Sequence, residues 1–185
     1  MRIRMAAFGR ALGGRDRARK LLPEIEKTIN ERLDSLVLVD LTGVLISHSF
    51  GDELFATLLN RAQRGRYGRE RWIAFTGADE FTAETLHHLL EKRGLAAALV
   101  AQGSVQLVGT AEGRLEETFQ TVERLRRATA AVVAKQLGTS LQAANKWLTK
   151  LVEARVVDRT LVGTGSGRPY EYHSRTPELV GAGSR

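Results

Sequence analysis

The sequence predicts an α/β domain with helices packed on a mixed sheet, followed by a smaller, mostly helical domain that ends in a β-hairpin. Three observations lead there. Over residues 1–108, short apolar strand-like runs alternate with segments of helical periodicity. From Leu115 onward the apolar residues Leu115, Phe119, Val122 and Leu125 keep a purely helical spacing. Beyond them, two short helices joined at Gly138-Thr139-Ser140 precede a basic, glycine-rich segment from Arg159 to His173.

Ile3 to Phe8 reads as a first short strand, and the glycine-rich Gly9 to Gly14 as the turn into a helix from about Arg15 to Glu31. Pro23 lies inside that helix and predicts a kink or a restart, because proline lacks the N–H the helix ladder needs. Leu36-Val37-Leu38-Val39-Asp40 is a continuous apolar run of the kind buried on both faces of a parallel sheet. Asp52 to Arg64 reads as a helix with Leu54, Phe55, Leu58 and Leu59 inward. Trp72 to Phe75 is a strand, and Phe81 to Arg93 a helix stopped by Gly94. Ala97–Ala101 and Val105–Val108 form a last strand pair about Gly103-Ser104. The boundary falls between Gly109 and Gly113, which makes 1–108 one domain and 112–175 the next.

In the second domain, Ala130 to Leu137 has the small and apolar residues of a packing helix. Gly138 ends it, since glycine takes the left-handed conformation readily, and Ser140 is a good cap for the next helix. That helix turns Ala144, Leu148 and Leu151 inward, with Trp147 also counted as core. Gln142, Asn145, Lys146 and Lys150 lie on its other face. Val156-Val157 begins a strand, Gly163 to Arg168 forms a loop, and Tyr170 to His173 returns. The tail 176–185 reads as disordered.

The chain has 185 residues, 43% of them hydrophobic and 26% charged, with no cysteine. Without cysteine there are no disulfides and no thiolate zinc sites, which fits a reducing cytoplasm. No apolar run approaches the roughly 20 residues of a membrane span, and the polar start Met1 to Met5 is no secretory signal. The net charge is +7, and Arg124–Arg175 alone holds ten Lys/Arg against three Asp/Glu. A concentrated positive patch is the electrostatic footprint of a nucleic-acid-binding module. Amides and cations on one helix face suit the DNA major groove, where amides read adenine and cations read guanine or phosphate. Gln142 and Asn145 are the expected base readers and Lys146 meets a base or a phosphate. Lys150 and Arg159 are expected on phosphates, and Arg168 in the minor groove.

These residues carry a resemblance. Residues 129–173 resemble the bacterial winged helix-turn-helix transcription factors, through the run SLQAANKWLTKLVEA at Ser140–Ala154 and the closing GRPYEY at Gly167–Tyr172. A position that is commonly glycine in that class is Arg155 here. The resemblance implies a regulator of double-stranded DNA, commonly a homodimer.

Residues 1–108 resemble the STAS-like domains, relatives of the sulfate-transporter and anti-sigma-factor-antagonist fold, through VLVDLTGVLISHSFGDELF at Val37–Phe55. Ser49 matches the serine that the antagonists phosphorylate, while the family's Asp-Ser-Ser-Gly reads Ser47-His48-Ser49-Phe50. This resemblance implies a dimerisation or signal-receiving domain, with a kinase or other ATP-binding protein as a partner at the Ser49 turn. Phosphate at a helix start is favoured by free N–H groups and the helix dipole. The plainer role for Ser47 or Ser49 is to cap the Asp52–Arg64 helix.

Catalytic motifs are not completed. Ser47-His48-Ser49-Phe50-Gly51 misses the first glycine of a nucleophile elbow. The histidines His87-His88 offer with Glu91 an i,i+4 His/carboxylate pair without an evident third metal ligand, and Gly9 to Arg15 has no phosphate-loop lysine. Arg61, Arg64, Arg66, Arg69 and Arg71 read as a solvated helix end, with a second DNA contact or a partner surface as the alternative. The sequence therefore predicts a two-domain, non-enzymatic, cytoplasmic DNA-binding regulator without metal or cofactor. The alternative is a partner-switching adaptor regulated at Ser49.

Overall fold

The computed structural model describes residues 1–68, 71–101, 103–110, 113–162 and 169–175. They form two compact units, one from the described residues of Met1–Thr110 and one from those of Ala111–Glu178. The fold is mixed α/β, and no helix among the described residues is long and apolar enough to cross a membrane.

The first unit runs β1 (Arg2–Arg4), a 3-10 turn (Met5–Phe8), β2 (Ala11–Leu12), α1 (Arg15–Glu31), β3 (Leu36–Asp40), β4 (Leu45–Ile46) and α2 (His48–Gly51). A π-helical turn (Asp52–Ala56) joins α2 to α3 (Thr57–Gln63), followed by β5 (Trp72–Thr76), α4 (Glu80–Lys92), β6 (Ala96–Ala101) and β7 (Ser104–Gly109). The main sheet has the order β1-β3-β5-β6-β7. Its first four strands are parallel, and β7 is antiparallel to β6. A short second sheet pairs β2 with β4 in parallel.

Alternate strand residues, Val37 and Val39, Ile73 and Phe75, Ala97 and Leu99, join one hydrophobic core with Ile25 and Ile29 of α1 and Leu86 and Leu90 of α4. Val37, Leu38 and Val39 are all buried, as a central parallel strand requires. Phe50, Phe55 and Phe75 form an edge-to-face series with centroids 6.0 and 5.4 Å apart. At the strand ends, the Asp40 carboxylate accepts the Thr42 N–H at 3.0 Å and the Thr42 hydroxyl at 2.6 Å. Burial pushes the Asp40 carboxyl up, but these bonds and Arg2 and Arg4 hold it below the usual range. A Cβ on Gly77 (φ +71°) would collide with Thr42 Oγ1 and stand 2.9 Å from Asp40 Oδ1, so this crossing of two loops needs glycine.

Three sequence expectations change. The strand over Ile3–Phe8 stops at Arg4, and Met5–Phe8 coils into a 3-10 turn closed by Gly9 N–H on Ala6 O at 3.1 Å. That turn buries Met5 while leaving Ala6 and Ala7 exposed, and the segment has no β-branched residue to favour a strand. The helix expected from Asp52 begins at His48, because Ser47 directly follows β4 and its Oγ accepts the Phe50 N–H at 3.3 Å. Asp52 therefore lies a full turn inside the helical segment. The arginines after α3 are not simply solvated. Arg61 and Arg66 reach the Glu26 carboxylate of α1 at 2.7 and 3.6 Å, beside the Tyr67 hydroxyl at 2.6 Å. Arg71 hydrogen-bonds the carbonyls of Ile29 and Arg32. Arg64 alone fits the solvated description, and Arg69 lies outside the described residues.

Helix α1 is assigned as one element through Pro23, which faces solvent on the side opposite Leu22, Ile25 and Ile29. Proline costs a helix interior about 3 kcal/mol relative to alanine, part of it in the missing N–H. Pro23→Ala is therefore expected to stabilise the chain by about 1–3 kcal/mol in denaturant unfolding, and an unchanged midpoint would contradict this. Burial pushes the Glu26 carboxyl up, but hydrogen bonds from Tyr67 and Arg61 and the charges of Arg61 and Arg66 hold it below its ordinary value. A carboxyl depressed in the folded state contributes stability above its unfolded pKa, about 4.3, that is lost as pH falls through its folded value. The midpoint of thermal unfolding should thus drop as the pH falls below about 4.3, and less steeply in Glu26→Gln.

Candidate nucleic-acid interface

The second unit comprises α5 (Gly113–Leu125), β8 (Arg127–Thr129), α6 (Ala130–Leu137), α7 (Leu141–Glu153), β9 (Val157–Leu161) and β10 (Tyr170–Ser174). Strand β10 pairs antiparallel with both β8 and β9. Leu115, Phe119 and Val122 of α5, Val133 and Ala134 of α6, and Ala144, Leu148 and Leu151 of α7 are buried where the three helices pack together. Thr129 caps α6 by accepting the Val132 N–H at 3.4 Å. Gly138, left-handed at φ 59° and ψ 39°, ends α6, and Thr139 N–H returns to Ala134 O at 3.0 Å. Ser140 then caps α7 by accepting the Ala143 N–H at 3.2 Å. The three-residue turn thus satisfies terminal backbone groups of both helices and fixes where α7 points.

Gln142, Asn145, Lys146 and Lys150 are all exposed on α7. The first three stand at i, i+3 and i+4 and so share a face, with Lys150 one turn beyond Lys146. The first turn of α7 carries no acidic residue. Arg114, Arg126 and Arg175 have carboxylate partners in Glu117, Glu123 and Asp158. Lys135, Lys146, Lys150 and Arg127 are exposed and have no ion pair among the described residues. Arg159 is exposed on β9 with its guanidinium 4.6 Å from the centroid of the Tyr170 ring, a stacking that keeps the cation extended. Arg168 and the loop Gly163–Arg168 lie outside the described residues, as does the tail from Thr176.

Comparison with protein-family models, with curated proteins and with solved structures found no match.

Several features were not anticipated. Trp147 is half-buried rather than core, and Leu141 is exposed at the start of α7. Tyr170, 40% exposed, supports Arg159, and only the hairpin register, which sets Leu161 opposite Tyr170 and Arg159 opposite Tyr172, brings the two together. The turn after α7 keeps the backbone that glycine would take: Arg155 sits at φ +58°, with Val156 N–H on Leu151 O at 3.1 Å. An L-residue in that region costs about 1–2 kcal/mol, and Arg155 takes that conformation at this cost.

The Ser49 turn is a separate place in the first unit. Ser47 is the cap, whereas Ser49 lies in the first turn of α2, half-exposed, with its Oγ 3.2 Å from Ser47 Oγ. Asp52 is occupied by Arg93 at 2.6 and 2.7 Å, and this hydrogen bonding holds its carboxyl below the usual range against the effect of burial. His87 accepts the Gly109 N–H at 3.3 Å, and His88 is exposed between Glu84 and Glu91. Among the described residues no three His, Asp or Glu gather as a metal site.

Removing the α7 cap tests the positioning argument. Ser140→Ala should cost about 1 kcal/mol of stability, read by chemical denaturation. Ser49→Ala should cost less, since Ser49 caps no helix.

Proposed function

We propose that this protein is a DNA-binding regulator in which the second unit is a winged helix-turn-helix and α7 its recognition helix. The observation that carries this reading is the exposed row Gln142, Asn145, Lys146 and Lys150, without an acidic residue in the first turn and held by a capped three-residue turn. Amides at this spacing pair bidentately with adenine edges, and each such contact contributes about 1–3 kcal/mol of discrimination. Lys150, Arg127 and Arg159 supply phosphate contacts that set register and orientation. The exposed lysines add steering toward a polyanion.

In this reading the first unit is a STAS-like domain that dimerises or receives a signal. Two copies of α7 would then meet half-sites about 34–36 Å apart on a palindrome, with a signal altering that spacing. The α/β fold and the Ser47-capped turn bearing Ser49 are in keeping with such a domain.

Fluorescence anisotropy of the full chain with genomic-fragment DNA across a salt series tests the reading. About five or six phosphate contacts give a log–log salt slope near −5, at roughly 0.9 per phosphate. Asn145→Ala with Lys146→Ala should weaken binding by about 10- to 100-fold or more. Binding indifferent to both residues would overturn the proposal and move the function to the Ser49 turn as a partner-switching adaptor, where Ser49→Asp becomes the informative variant.

A further inference from the structure

The first unit contains a cleft that the DNA-binding reading does not use. It encloses about 600 Å³ between α3, the π turn and the end of α4, within the size range of small-molecule sites. Its outer wall comes from one face of α3 and the residue that caps its end, with Thr57, Asn60 and Arg61 at i, i+3 and i+4 and Arg64 at the C-cap. Ala56 and Leu95, both buried, give it an apolar floor, and Arg66 and Arg93 complete its charged rim.

The charges in the cleft do not balance. Of the four guanidinium groups, Arg61 and Arg66 share Glu26, and Arg93 holds Asp52 in a two-bond fork. Four positive charges against two carboxylates leave a surplus of two. Arg64 is exposed into this surplus and pairs with no carboxylate among the described residues. Thr57 and Asn60 are half-buried, and their side chains make no hydrogen bond among the described residues. A hydroxyl and an amide, both capable of donating, thus line a concave surface beside an unpaired guanidinium. This arrangement is complementary to an anion with several acceptor oxygens.

We propose that the cleft binds a small phosphomonoester, with Arg64 as its principal charge partner, Thr57 and Asn60 donating to its oxygens, and its organic body over Ala56 and Leu95. A phosphomonoester carries about −1.5 to −2 charges at neutral pH and three acceptor oxygens, which matches the surplus and the donors. Arginine is suited to it because its planar fork meets two phosphate oxygens at once. The volume leaves room for a body the size of a sugar or a nucleoside. The proposal does not depend on DNA binding, since no residue of the second unit takes part.

The test is an NMR titration of the isotope-labelled full chain with inorganic phosphate, glycerol 3-phosphate and adenosine 5′-monophosphate, at fixed pH and ionic strength with chloride as the balancing anion. Saturable shifts are expected at the Asn60 side-chain amide and the Arg64 Nε–H, tighter for at least one ester than for inorganic phosphate. Arg64→Gln should weaken binding at least tenfold, and Asp52→Asn, which removes the one carboxylate in the lining, should tighten it. Lys20→Gln, an exposed charge change outside the cleft, should leave it unchanged, with backbone amide spectra verifying the fold of each variant. Sedimentation with phosphatidate vesicles forms a separate arm: binding there, lost in Arg64→Gln, while soluble esters fail, would assign the phosphate to a lipid headgroup. Linear, unsaturable shifts, or equal losses in Arg64→Gln and Lys20→Gln, would overturn the proposal in favour of diffuse attraction to a basic surface.

Discussion

The burial of Phe55 is the constraint on which the first unit depends. Its ring meets Phe50 on one side and Phe75 of the central sheet on the other, and it has no exposed surface. Leu54, Phe55 and Ala56 are consecutive and all buried, which a regular α-helical stripe does not accommodate, because neighbours in sequence stand about 100° apart. The π turn at Asp52–Ala56 widens the helix there and permits it. The same widening sets the phase of everything after it. Leu58 and Leu59 return to the core, and Thr57, Asn60, Arg61 and Arg64 are left together on the polar face. Core packing and the chemistry of the cleft are therefore two results of one local departure from helix geometry.

In the second unit the direction of α7 is set by backbone satisfaction, above a core that includes the buried rings of Phe119 and Tyr172. Its inward residues on α6 and α7 are mostly alanine, valine and leucine, which let the helices approach closely. What aims α7 is the sequence of bonds through Gly138, Thr139 and Ser140. A recognition surface needs a rigid base, and polar side chains on a capped helix are better placed than the same residues on a loop.

Much of this was legible from residue patterns. The apolar run Leu36–Asp40, the helix from Arg15 and the strand pair about Gly103 follow from periodicity and glycine position, and the structure has them within a residue or two. The Gly138–Ser140 turn was readable for the same reason, since its backbone conformations demand those residue types. Local patterns did not reveal contacts between distant segments. Glu26 gives no sign in sequence of meeting Arg61, Arg66 and Tyr67 some 35 to 41 positions later. A run of arginines after a helix looks solvated until the carboxylate that faces it is located. Likewise the helix start moved from Asp52 to His48 because capping serines at Ser47 and Ser49 compete, and only the strand before them decides which is used.

The strand order of the main sheet has a consequence for how the chain is made. Its strands β1, β3, β5, β6 and β7 lie side by side in the order in which they occur along the chain. No strand has to be inserted between two that have already paired. During synthesis, which proceeds from the N-terminus, each strand can therefore join the growing edge as it emerges, and that edge is always the one adjacent to the newest segment. The antiparallel β7, paired with β6 from Ala101 opposite Ser104 onward, comes last and ends the growth. The polypeptide can thus complete its first unit by successive addition, without reopening what has formed, before the helices of the second unit have been translated.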